Sequence, residues 1–327
     1  MKFLLHKSSI KISNAKKIPS IQLNNFFINL LKHELDKTID MCPHCHSTNI
    51  IKYGHFSENK QRYRCKDCRR TFNKVTNSIL SYTKKTLNDW VQYLNCMNNK
   101  FTIRKSAFQL KISSTTAFYW RHKVLKVLND NLPNALSGVI EIKTTYINES
   151  FKGKRYPDGR RKNICIGKKT NDFSDIKDRR VCVLCCHDNL GNTFAKTLCR
   201  GSINYAKVSE TLKYKIPSNC EICTDNNMAY VSFAKKNNLR LHKITSINQI
   251  IEGKYHIKDA YNFSNKLKTL VSKCRGVCTR YLNFYISWTK WLYKSSKYNS
   301  IKNIINILMI NKVNFINRDL NSIGELG

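Results

Sequence analysis

The sequence predicts a multidomain α+β chain in which a small cysteine-held unit and a helical segment precede an α/β domain. Three observations carry this. Two Cys-x2-Cys pairs sit within residues 42–68, apolar residues between Leu87 and Leu128 recur at helical spacing, and after Gly138 strand-like runs alternate with helical ones. With 327 residues, 41% of them hydrophobic, the chain is long enough to bury real cores rather than remain a solvated basic tail.

Charge narrows the function. There are 58 Lys plus Arg against 21 Asp plus Glu, a formal +37, which excludes most metabolic enzymes. So large an excess repels itself unless it meets a polyanion. Nucleic acid is the common partner, because each neutralised phosphate releases condensed counterions. Fourteen cysteines fit either a secreted disulfide scaffold or an intracellular metalloprotein. Lys2, His6 and Lys7 interrupt the apolar start of the chain, and no run approaches the roughly 18 apolar residues of a spanning helix, so no membrane is expected. The cysteines are expected to be reduced and the setting cytoplasmic, at the nucleoid.

Residues 1–41 are basic and then weakly amphipathic, with Ile21, Leu23, Phe26, Phe27, Leu30 and Leu31 near helical spacing, and predict one helix and a linker. In the next stretch, 42–75, Cys42-Pro-His-Cys45 and Cys65-Lys-Asp-Cys68 flank nineteen residues, the spacing of a four-thiolate zinc ribbon. Four thiolates close a tetrahedron with no open position, so Zn²⁺ here is structural and supplies folding energy that so small a unit cannot draw from burial. Tyr53–Phe56 and Gln61–Arg64 read as its strands; His44, His46 and His55 lie near enough to serve as alternative ligands. Cys182/Cys185 and Cys220/Cys223 are not a second zinc site. Residues three apart on a strand point to opposite faces, so Cys182 and Cys185 cannot share an ion.

Within residues 85–130, the run Phe101–Leu110 followed by Lys111–Lys123 has the layout of a helix-turn-helix. Ile103, Ala107 and Leu110 face inward, Ile112 fills the turn, and Ser113 caps a second helix whose core positions are Ala117, Trp120, Val124 and Leu128. Thr115, Tyr119, His122 and Lys123 then fall on the face that meets a major groove, with Arg104 and Arg121 placed for phosphates. A linker (Asn129–Gly138) leads into the α/β domain, 138–293. Its strands are expected at 139–147, 180–186, 193–198 and 221–224, and its helices at 203–214, 226–237 and 262–273. Residues 152–180 form a basic loop, and 294–327 a tail. Tyr281, Tyr285, Trp288 and Trp291 read as the core face of a helix.

The order of zinc ribbon, helix-turn-helix, strand 139–147, Asn148–Gly153, Cys223-Thr-Asp-Asn-Asn-Met-Ala-Tyr230, Tyr255–Ile257, Asn265–Lys268, Gly276–Leu282 and Trp288–Trp291 resembles bacterial insertion-sequence transposases of the DDE type over residues 42–293. The resemblance implies a ribonuclease H-like domain in which three acidic residues hold two Mg²⁺ or Mn²⁺ ions for phosphodiester cleavage and strand transfer. Its partners are double-stranded DNA at the element's ends and further copies of the chain. Asp225 matches the second acid. Lys143 stands at the first acidic position, and Tyr261 stands where the family has Glu or Asn, seven residues before Lys268. Glu141 and Asp259, each two residues earlier, are the neighbours that could carry catalysis together with Asp225, but two residues along a strand is about 6.6 Å. The expectation is a DNA-binding transposase homologue with a degenerate triad and impaired activity, in which Lys268 and the basic loop contact phosphates. A DNA-binding regulator without catalysis is the rival reading, and a structural RNA-binding protein a third.

Overall fold

The computed structural model describes residues 39–56, 60–81, 83–132, 134–152 and 180–294, together with position 29. The expected N-terminal helix, most of the basic loop and the tail lie outside the described residues. The chain divides into two compact units, residues 1–74 with 82–92, and residues 75–81 with 93–327.

The first unit holds a three-stranded antiparallel sheet, β1 (Ile50–Phe56), β2 (Lys60–Cys65) and β3 (Thr71–Phe72). Both strands read from the sequence are present and longer than expected. The two-residue β3 is too short to leave a pattern. Gly54, at φ +72°, sits where the β1–β2 register slips between Lys52 and His55, a bulge that needs the left-handed region. Phe72 packs with Cys42 and Cys65 as a core too small to hold the unit by burial alone.

Helix α1 (Leu87–Asn98) enters the second unit at Tyr93 and is followed by α2 (Ile103–Gln109) and α3 (Ser114–Asn131). Thr102 caps α2, and Ser113 caps α3 by accepting the Thr116 N–H at 3.0 Å. Lys111, at φ +51°, makes the turn between them.

Three strands, β4 (Val139–Asn148), β5 (Arg180–Asp188) and β6 (Thr193–Arg200), form an antiparallel meander. Helix α4 (Tyr205–Leu212) leads to β7 (Glu221–Thr224) and α5 (Met228–Lys236) to β8 (Arg240–Lys243), both parallel to β4. The order is β6-β5-β4-β7-β8, the ribonuclease H-like arrangement that the resemblance implies. β8 reads Arg-Leu-His-Lys and is half exposed, so no apolar alternation announces it.

Side chains alternate between two covered faces. Ile140, Ile142, Cys182, Leu184 and Cys186 pack beneath α4 and α5. Val181, Val183 and Cys185 pack against α6 (Lys258–Lys273) and α7 (Leu282–Lys294). Cys182 and Cys185 thus lie on opposite faces, as strand geometry requires. The other surface of α7 meets α3, so Tyr281, Tyr285, Trp288 and Trp291 are all buried core residues. The helix-turn-helix and the α/β sheet therefore belong to one compact unit. No helix of the described residues is long and apolar enough to cross a membrane.

Candidate functional site

The ribbon's two Cys-x2-Cys turns bring the sulfurs of Cys42, Cys45, Cys65 and Cys68 within 4.8 Å of one another. Cys42 Sγ and Cys68 Sγ are 3.7 Å apart, Cys45 Sγ and Cys65 Sγ 3.5 Å. Zinc–sulfur bonds of about 2.3 Å give a tetrahedral edge of about 3.8 Å, so the donor set fits one zinc ion with no ligand to spare. The Cys68 backbone N–H lowers the Cys65 thiol to about 7, easing the thiolate a metal needs. Asp67 accepts hydrogen bonds from the Ser47 and Asn49 side chains and ties one turn to the other. His44, His46 and His55 are not in the cluster.

The helix-turn-helix presents a different face from the one its sequence suggests. Arg104 and Thr115 are exposed and Tyr119 half-buried. Arg121 and His122, expected on the groove face, are buried at 0% and 1% exposure. Arg121 donates to the Phe101 carbonyl at 2.7 Å and lies over the Trp288 ring, and His122 is boxed by Phe118 and Tyr281. Lys123 is half-buried, and its ammonium donates to the Ser81 carbonyl at 3.0 Å. The reason is tertiary: α3 has two covered faces, the second closed by α7 and the Thr279–Tyr281 turn. The only signal in the sequence was the aromatic run 281–291, which needed a partner helix. Beside the starts of α2 and α3 opens a cleft of about 780 Å³. Arg104, Thr115 and Tyr119 line it together with Lys152 and Arg275, and Arg275 went unnoticed in the sequence.

On the sheet, Ile142 pairs with Thr224, the last residue of β7; Lys143 follows within β4, paired with Cys185 of β5, and Asp225 follows the end of β7. Lys143 Nζ lies 5.6 Å from the centre of the Tyr261 ring, which α6 supplies from above. Asp225 Oδ1 is buried with no hydrogen-bond partner. Lys268 is exposed two turns further along α6, on the side of the helix that carries Tyr261.

Glu141 and Asp259 do come together, but not with Asp225. They cluster with His256, all three donor atoms within 4.8 Å. Glu141 Oε2 accepts the backbone N–H groups of Asp259 and Ala260, at 2.8 and 2.9 Å, and caps α6 where Ile257 has no side-chain cap to offer. Burial raises the Glu141 carboxyl above its ordinary range against the pull of the Ala260 N–H and His256. Of the three residues expected to act together, Glu141 and Asp259 are grouped with His256 and Asp225 is not, Glu141 committing one of its two oxygens to the helix terminus.

Residues 38–69 match the InsA N-terminal domain, a zinc ribbon. A stretch of 114 residues is 30% identical to an uncharacterized protein in transposable element ISH50 of Halobacterium salinarum. The chain resembles an insertion-sequence transposase. That stretch covers 35% of this chain and 38% of the halobacterial protein, so the match spans well under half the length of its curated relative. Among solved structures, a chain of the simian T-cell lymphotropic virus intasome with PP2A regulatory subunit B56 gamma is 12% identical with a TM-score of 0.29, covering 63% of this chain and 75% of its own. The Mos1 mariner paired end complex with Mn is 11% identical with a TM-score of 0.23, covering 93% and 91%. At such scores the likeness says nothing of this chain's chemistry.

Proposed function

We propose that this is a DNA-binding protein of the insertion-sequence transposase kind that has lost the metal site for strand transfer. One observation supports this most: Lys143 and Tyr261, at two of the three positions where the resemblance expects acidic or Asn ligands, face each other, with Lys143 Nζ 5.6 Å from the ring centre. Two Mg²⁺ or Mn²⁺ ions about 4 Å apart need several hard oxygen ligands. Asp225 is a single carboxylate, and neither the Lys143 ammonium nor the Tyr261 ring facing it offers the carboxylate oxygens such ions need. The residues present do not fit the pair.

What the chain retains is binding. The ribbon and the exposed starts of α2 and α3 approach duplex DNA, with Arg104 and Lys268 on phosphates and Thr115 and Tyr119 nearest the bases. His122, being buried, reads nothing, and Arg121 and Lys123 are occupied within the fold. The test is a nicking assay on duplexes carrying the element's ends. The unaltered chain is expected to bind and not cut with Mg²⁺ or Mn²⁺. Lys143→Asp combined with Tyr261→Glu is expected to gain metal-dependent nicking that Asp225→Ala removes. Robust cutting by the unaltered chain, abolished by Asp225→Ala, overturns the loss.

A further inference from the structure

We infer that Glu141, His256 and Asp259 hold a second metal ion, a single borderline divalent cation such as Zn²⁺, Co²⁺ or Mn²⁺, which fastens the start of α6 to β4. The group is neither the thiolate cluster nor the triad positions, and the inference stands whether or not strand transfer is lost.

Three features of the geometry lead here. First, the donors come from three separate places, β4, the segment before α6 and the first turn of α6, and converge within 4.8 Å. Second, Glu141 is already oriented. Its Oε2 is held by two backbone N–H groups, which leaves Oε1 for His256, the support that metal-ligating carboxylates characteristically have. Third, the buried His256 Nδ1 lies 2.9 Å from Glu141 Oε1, an ion pair when the imidazole is protonated, and has no hydrogen-bond partner. Two atoms 2.9 Å apart that are not hydrogen-bonded are what neighbouring ligands of one ion show: with bonds of about 2.0–2.1 Å, a right-angled pair is separated by about 2.9 Å.

Electrostatics agrees. Glu141 is 6% exposed, and bringing a second carboxylate, Asp259, into its neighbourhood without a cation is costly. Two carboxylates and an imidazole suit borderline ions better than Mg²⁺ or Ca²⁺, which favour all-oxygen shells. His187 faces Glu141 across the β4–β5 ladder but is outside the 4.8 Å group, so the remaining positions fall to water and the ion exchanges more readily than the thiolate-bound one.

The experiment uses the full chain, stripped with chelator and reloaded with Co²⁺, with metal content measured by mass spectrometry. Two equivalents are expected: one with intense thiolate-to-cobalt bands, the other with weak ligand-field bands only. Asp259→Asn and His256→Gln should each lose the second equivalent and keep the thiolate bands, which also reports that the variant has folded. In the unaltered chain, added Mn²⁺ should raise the thermal midpoint, and that rise should vanish in both variants. One equivalent in the unaltered chain overturns the inference, leaving Glu141–His256 as a proton-sharing pair. A second equivalent that survives both substitutions overturns it as well, by placing the ion elsewhere.

Discussion

His122 carries its imidazole inside a box of rings, with Phe118 at 4.1 Å and Tyr281 at 4.5 Å between centroids. Burial lowers its pKa from 6.5 to about 4. The Phe118 carbonyl pulls the other way, and the neighbouring Arg121 adds to the lowering. Because the folded value is depressed, the unfolded chain binds the proton first. Stability is therefore fully present above pH 6.5 and is lost as pH falls from 6.5 toward 4, by about 3 kcal/mol at 1.36 kcal/mol per pKa unit. The unfolding midpoint should drop across that window, and His122→Phe should flatten the drop by a comparable amount while leaving the midpoint at pH 7 lower by about 1 kcal/mol for the lost Phe118 hydrogen bond. A slope unchanged in the variant would show that other groups carry the acid sensitivity. None of this was legible in the sequence, where His122 sat with Thr115 and Tyr119 on one polar face. A polar residue on a helix face says nothing of what packs there until the partner helix is known.

Elements divide by what holds them. The β1–β3 ribbon has little core, so its stability is the metal's, on the order of 10 kcal/mol for structural zinc at neutral pH. Cys65→Ser should remove the thiolate-bound ion and expose the amides of residues 42–72 to hydrogen exchange, while the amides of β4 and β5 stay protected. Helix α7 is held by burial on two sides, against α3 and against the sheet. Trp288 is fully buried, and Trp288→Ala should cost about 3–5 kcal/mol, read as a lower denaturant midpoint. Periodicity gave away most of these elements: Glu221–Thr224 lies where its apolar run ends, and Tyr281, Tyr285, Trp288 and Trp291 form a core face as their spacing predicts. β3 and β8 escaped, one for brevity and the other for its charged composition. The start of α6 escaped too, since its cap is Glu141 from a distant strand rather than a neighbouring side chain.

At the scale of the whole molecule the +37 charge sets the expected binding law. Affinity for duplex DNA should fall linearly in log–log salt plots, with a slope of about −0.9 per phosphate neutralised. Arg104→Ala should reduce that slope by about 1 with little change in sequence preference, whereas Thr115→Ala should alter preference and leave the slope alone. An equal slope for Arg104→Ala would remove that arginine from the interface. Equal affinity for duplex and single-stranded RNA of the same length would favour the structural RNA-binding reading.

The sequence by itself pointed to the zinc ligands, because four thiols at fixed spacing admit few other uses, and to most of the strands and helices, because burial imposes its period locally. Through the resemblance it also set Lys143 and Tyr261 against the family's acidic positions. Only the tertiary structure decided that Lys143 faces Tyr261, that Glu141 and Asp259 gather around His256, and that Arg121 and His122 are interior. The difference is range: periodicity reports which face of an element is apolar, whereas the neighbours of a polar side chain are set by strand registers and helix packing between residues far apart in sequence, 118 positions in the Asp259–Glu141 hydrogen bond.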